Sequence, residues 1–100
     1  MQMEQMFRLV VVSSDSEEVV VKLDGWLAGA NVDLLQREVV GYLQESSTLV
    51  LDLEGVRSID RSGLRLLQRW AGGRLVLRGG SLFLDTLLRA HGLDQETLRR

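Results

Sequence analysis

The sequence predicts an α/β fold, a mixed four-stranded β-sheet covered on one face by helices. Three observations carry that prediction. The spacing of apolar residues switches between two and about 3.6 several times along the chain, as it does in mixed α/β domains. The later strands are separated by helical stretches, which makes those strand pairs parallel with right-handed crossovers. Arg8, Lys22, Arg74 and Arg78 stand on strand faces too charged to be buried, so one face of the sheet is left without helices and partly wet.

The elements follow in order. In FRLVVV, residues 7–12, Phe7, Leu9 and Val11 share one face, and in VVVKLD, residues 19–24, Val19, Val21 and Leu23 do the same. The polar turn SSDSEE joins these two strands. Residues 31–45, NVDLLQREVVGYLQE, repeat apolar groups at Val32, Leu35, Val39, Tyr42 and Leu43. They form an amphipathic helix with Asn31 as its cap, slightly weakened by Gly41. TLVLDL, residues 48–53, is the central strand, with Leu49, Leu51 and Leu53 on one side and Val50 and Asp52 on the other. A second helix runs through SGLRLLQRWA, and the strand RLVLR follows with Leu75 and Leu77 inside. The last helix, SLFLDTLLRAH, is closed by Gly92, and the tail beyond it is expected to add a final turn. No linker, repeat or low-complexity tract interrupts this β-β-α-β-α-β-α order.

Composition removes whole classes of function. A chain of 100 residues, 45% of them hydrophobic, is expected to form one domain with one core. Its 12 basic and 14 acidic side chains give a formal charge of −2, without the basic excess that a nucleic-acid surface needs. There is no cysteine for a disulfide or thiolate metal site, and His91 is the sole histidine. No apolar run approaches the roughly 20 residues that span a bilayer, and MQMEQMFRLVVV lacks a secretory pattern. A cytoplasmic protein without direct membrane insertion is expected. No phosphate-cradling G-x-x-x-x-G-K loop is present, and no cofactor is expected.

The stretch SIDRSGLRLL, Ser58 to Leu67, holds the candidate site. At about 100° per residue, Gly63, Leu64, Leu66, Leu67, Trp70 and Ala71 fall in one arc of the helix that begins near residue 61. Arg61, Ser62, Arg65, Gln68 and Arg69 fall in the opposite, exposed arc. Ser62 thus stands in the first turn, where free N–H groups and the helix dipole favour an anion. A phosphate on Ser62 would gain those contacts, with Arg65 and Arg69 nearby. The plainer reading is that Ser62 caps the helix. With one histidine, no cysteine and no base evident beside Ser62, nucleophilic catalysis is not expected, so the chain is read as no enzyme. Arg57, Arg61, Arg65 and Arg69 recur every four residues, either as a solvated face or as a basic strip for an acidic partner.

The run LVLDLEGVRSIDRSGLRLLQR resembles the core motif of STAS domains, the bacterial anti-sigma factor antagonists. There a strand with an Asp leads into a D-S-[ST]-G-type turn and a helix. VKLDGWLAGANVDLLQREV is similar to that family's second strand, glycine turn and first helix, and SLFLDTLLRAHGL to its last helix. The resemblance implies a single STAS domain over residues 1–100. It places Ser62 at the serine that a partner kinase phosphorylates in switching members, Asp60 at the motif Asp, and Asp52 at the Asp of the preceding strand. Asp52, an acid in an apolar strand, either supports the site or steadies the next loop. Gly63 suits close backbone approach by a partner. Arg61 departs from the small hydroxyl residue usual in switching relatives. Gly25, Trp26, Leu27 and Ala28 replace a common G-E-L-D turn, with two acids gone. Trp26 is then an interface anchor or a ring packed over the end of the core. Partner contacts are expected at Trp26, Asp60, Arg61, Ser62, Gly63 and Arg65. Two functions follow from the resemblance. One is an antagonist that binds an anti-sigma factor with serine kinase activity and is switched off by phosphorylation of Ser62. The other is a small STAS subunit docked on the ATPase of a lipid-transporting ABC system.

Overall fold

The computed structural model describes residues 6–93. Seven elements occur in the expected order: β1 (Phe7–Ser14), β2 (Glu18–Leu27), α1 (Ala30–Glu45), β3 (Thr48–Ile59), α2 (Arg61–Ala71), β4 (Leu75–Arg78) and α3 (Leu82–Ala90). The strands form one sheet in the order β1-β2-β3-β4. β1 and β2 are antiparallel, whereas β2–β3 and β3–β4 are parallel, so the sheet is mixed as predicted. The tail expected to add a last turn lies outside the described residues.

The β1–β2 turn is held by Asp15, whose carboxylate accepts the N–H groups of Glu17 and Glu18 at 2.8 and 2.9 Å. Those bonds hold its carboxyl below the ordinary Asp range. The buried Ser46 donates its hydroxyl to the Asp15 carbonyl and fastens the end of α1 to the same turn.

Alternation puts Val19, Val21, Leu23 and Leu27 of β2 and Leu49, Leu51 and Leu53 of β3 into one core with the apolar stripes of all three helices. The other sheet face carries two cross-strand rows. Val20, Val50 and Val76 form one, and Lys22, Asp52 and Arg78 form the other with charges alternating across the sheet. The expectation of a partly wet face therefore needs refining, because Val20 and Val50 are buried there while Val10 and Val12 stay exposed.

Both middle strands run longer than their periodicity suggested. β3 continues past Leu53 because it bulges twice. Lys22 pairs with Asp52 but Asp24 with Gly55, and Gly25 pairs with Val56 but Trp26 with Ser58. Each bulge inserts one extra residue on β3, so its inward residues run Leu53, Val56, Ile59. The period-two pattern breaks at those points, which hid the last half of the strand.

The caps also differ from expectation. α1 starts one residue earlier than Asn31, with Gly29 as N-cap at φ 57°, a conformation that favours glycine. Asn31 lies inside the first turn and donates its side-chain amide to the Trp26 carbonyl at 3.0 Å. α3 behaves as read. Ser81 caps it by accepting the Leu84 N–H at 3.1 Å, and Gly92 at φ 78° closes it as Leu93 donates back to the Leu88 carbonyl. Among the described residues no helix is long and apolar enough to cross a membrane.

Candidate functional site

The site forms where the C-terminal ends of β2 and β3 pass into α1 and α2. Ile59 closes β3 in the core, and the next residue, Asp60, donates its backbone N–H to the Leu27 carbonyl at 3.2 Å. Extended backbone at Asp60 turns its side chain back over the start of α2. Oδ1 accepts the Gly63 N–H at 2.9 Å and the Ser62 hydroxyl at 2.7 Å, while Oδ2 accepts the Gly29 N–H at 3.0 Å. One carboxylate thus caps α2 and ties it to the N-cap residue of α1.

This geometry corrects the capping role considered for Ser62. The cap is Asp60, and Ser62 is the second residue of the helix, exposed, with its hydroxyl donated to the cap. Burial acts to raise the Asp60 pKa, but the Gly63 and Gly29 N–H groups and the Ser62 hydroxyl outweigh it, so the carboxyl stays below the usual Asp value. The 2.7 Å contact orients the Ser62 hydroxyl. His91 sits at the C-terminal end of α3 with Nδ1 against the Leu87 carbonyl at 3.0 Å.

Gly63 is required by contact. A Cβ there would stand 2.7 Å from the Leu27 carbonyl oxygen and 2.8 Å from Ile59 Cγ2. The absent side chain lets α2 begin directly against the β2–α1 connection.

Beyond Ser62, α2 carries three arginines and no acid. Arg61, Arg65 and Arg69 are exposed, and none of their side chains makes a hydrogen bond or ion pair with a described residue. Arg65 and Arg69 join Ser62 and Gln68 on one wall of a groove of about 540 Å³, faced from α1 by Val32, Asp33 and Gln36. Gly29, Asp33 and Gln36 escaped the sequence reading. Nothing in a lone glycine, or in polar residues on an exposed helix face, announces a neighbour from a helix thirty residues further on.

The remaining candidates divide. Trp26, one residue before the end of β2, pairs with Ser58 at the same end of the sheet as Asp60 and is 40% exposed outside the core cluster. It does not pack over the core. Asp52 stands apart. It points to the helix-free face, and its Oδ1 accepts the Glu54 N–H at 3.0 Å where β3 bulges. There it steadies the turn of the strand. Arg57 lies on β3, outside the α2 row.

A mixed four-stranded sheet with helices on one face, and a serine-bearing helix start issuing from its central strand, defines the class of STAS-type domains. The chain belongs to that family: the family described as Mlab, STAS domain, matches residues 10–100. Solved structures agree. The anti-sigma factor antagonist SpoIIAA in its unphosphorylated form is 25% identical over 88% of this chain and 82% of its own, with a TM-score of 0.69. The phosphorylated form of Bacillus SpoIIAA is 23% identical over 88% and 85%, with a TM-score of 0.63. An antisigma-factor antagonist STAS domain from Rhodobacter sphaeroides is 20% identical over 73% and 86%, with a TM-score of 0.56. The latter two speak for the fold alone. No curated protein sequence matches the chain.

Proposed function

We propose that this chain is a cytoplasmic regulatory protein that docks the start of α2 and the α1–α2 groove onto an anti-sigma factor with serine kinase activity, and that phosphorylation of Ser62 releases it. The observation that carries this reading is the Ser62 hydroxyl, exposed at the head of α2 and aimed by Asp60 at 2.7 Å. Likeness to an anti-sigma factor antagonist at 25% identity supports it.

In this reading Ser62 Oγ bonds to the γ-phosphorus of the partner's ATP as the bridge to the β-phosphate breaks. ADP leaves, and the hydroxyl proton passes to the medium. The product has lost the donor that served Asp60 Oδ1 and carries up to two negative charges beside that carboxylate. Repulsion there works against the cap, and the unpaired Arg61 and Arg65 become counter-ions to the phosphate instead of contacts for a partner. Trp26 completes the docking surface as an aromatic anchor, whereas Gly63, expected as a point of close approach by a partner, is buried against Leu27 and Ile59 and serves the packing of α2 behind that surface.

A second reading has its own support. The groove and the unpaired arginine face exist without any modification, and Arg61 replaces the small hydroxyl residue usual in switching relatives. Such a surface serves equally for permanent docking on the ATPase of a lipid-transporting ABC system. One experiment separates the two: pull-downs from host lysate with wild type, Ser62→Ala and Ser62→Asp, with mass spectrometry of the partners and of residue 62. Capture of a kinase-like ATPase by Ala but not Asp, with phosphate on wild-type Ser62, is expected. Capture of transporter subunits equally by all three would replace the switch with constitutive docking.

A further inference from the structure

The starts of α1 and α2 are not capped alike. α2 has its own cap, since Asp60 precedes it and accepts the Gly63 N–H through Oδ1. α1 begins after Gly29, which has no side chain with which to cap its own helix. The Gly29 N–H is donated instead to Asp60 Oδ2 at 3.0 Å, from a residue 31 positions away in the chain. The two oxygens of one carboxylate therefore serve different helices, and the Ser62 hydroxyl binds the oxygen on the α2 side at 2.7 Å. Whatever displaces that carboxylate is felt at both helix starts. Val32, Asp33 and Gln36, the α1 wall of the groove, lie within about two turns of Gly29.

We propose that Asp60 transmits the modification of Ser62 to α1, so that phosphate on α2 loosens the α1 wall of the groove. This rests on the reading of Ser62 as the phosphorylated residue, and adds a route by which the new charge reaches a second helix. The effect is unequal between the two. The phosphoryl group stands in the first turn of α2, where free N–H groups and the positive end of the dipole take an anion, and Arg65 follows three residues on. For α2 it replaces what repulsion of Asp60 removes. For α1 there is no replacement. Gly29 loses its acceptor, and Asp33, facing Ser62 across the groove, repels the phosphate from the α1 side. A partner that grips α1 is then released without touching Ser62, and by linkage a partner that orders the α1 start opposes the modified state.

Amide hydrogen exchange on the full chain, with phosphoserine installed at residue 62 during translation, tests the coupling and needs no native kinase. Failure of the kinase reading, seen as no phosphate on wild-type Ser62 in host lysate, is therefore distinct from failure of this one. Relative to the unmodified chain, phosphate should speed exchange at Gly29 by about tenfold and at Gly63 by less than about threefold. Ser62→Ala removes the donor without adding charge, so it should move Gly29 by less than about threefold. With Asp60→Asn the phosphate should lose most of its effect on Gly29, because a neutral amide is not repelled. The proposal is overturned if phosphate leaves Gly29 exchange unchanged, if it speeds Gly63 as much as Gly29, or if its effect on Gly29 is the same with and without Asp60→Asn. Should Asp60→Asn not fold, the contrast between Gly29 and Gly63 decides.

Discussion

Asp60 gives the sharpest quantitative expectation, because one side chain serves three donors from two helices. Asp60→Ala removes the α2 cap, which costs about 1 kcal/mol at a typical N-cap. It also removes the side-chain bond to Gly29, worth about another 1 kcal/mol at a partly solvated position. The sum is roughly 2 kcal/mol, and at about 4–8 °C per kcal/mol for a domain of this size, Tm should fall by roughly 8–16 °C. The pH dependence has a definite sign. The folded state holds the Asp60 pKa below its ordinary value, so the charged form is favoured on folding. Its contribution is fully present above the unfolded Asp pKa of about 3.9 and is lost as pH falls through the lower folded value. Urea titrations of wild type and Asp60→Ala at pH 7 and in steps down to about pH 3 would show a gap that is constant at neutral pH and narrows in acid. A gap under about 0.5 kcal/mol at pH 7, or one that acid leaves unchanged, would refute the assignment of Asp60 as the joint between α1 and α2.

Two further expectations follow from the same region. Gly63→Ala should lower the urea midpoint, since the overpacking against Leu27 and Ile59, about 1–3 kcal/mol, exceeds the gain of up to about 1 kcal/mol in helix propensity. An unchanged or raised midpoint would mean that the β2–α1 connection yields freely. The double change Arg65→Glu and Arg69→Glu should leave the melting curve nearly in place, because both side chains are exposed and unpaired. It should weaken capture of the Ser62→Ala partner by on the order of tenfold in low salt, and by less as salt screens the charges. Biolayer interferometry at two ionic strengths measures both numbers, and salt-independent binding would remove the arginine wall from the interface.

Much of the fold was legible because burial here follows simple periods. Leu49, Leu51 and Leu53 point one way for the same reason in sequence and structure, and the buried arc of α2, Gly63, Leu64, Leu66 and Leu67, is the one the 100° count selects. The order of elements and the one-sided helical cover followed from that. The errors lie where a contact crosses the chain. Asn31 has the chemistry of a cap, but Gly29 can adopt a positive φ and receives Asp60 from thirty-one residues away, so α1 begins earlier. Ser62 also has the chemistry of a cap, but the oxygens of Asp60 reach one bond further and Asp60 stands in extended backbone before the helix. Val50 looked like a wet-face residue by its neighbours in sequence, whereas its neighbours across the ladder are Val20 and Val76. The position of Ser62 was therefore readable, and the device that aims its hydroxyl was not.

The two bulges of β3 reach further than the strand they bend. Each bulge absorbs one extra residue while the pairs beyond it keep the faces of their β2 partners, so β3 gains length without changing the side it presents. Ile59 thus returns to the helix side level with Leu27, and Asp60 emerges within reach of both helix starts. Pairing with β2, more than any single side chain, decides where the serine is offered. Loss of one residue between Glu54 and Arg57 would heal a bulge and leave Ile59 opposite Leu27, so the site would keep its face and lose only the local bend of the strand.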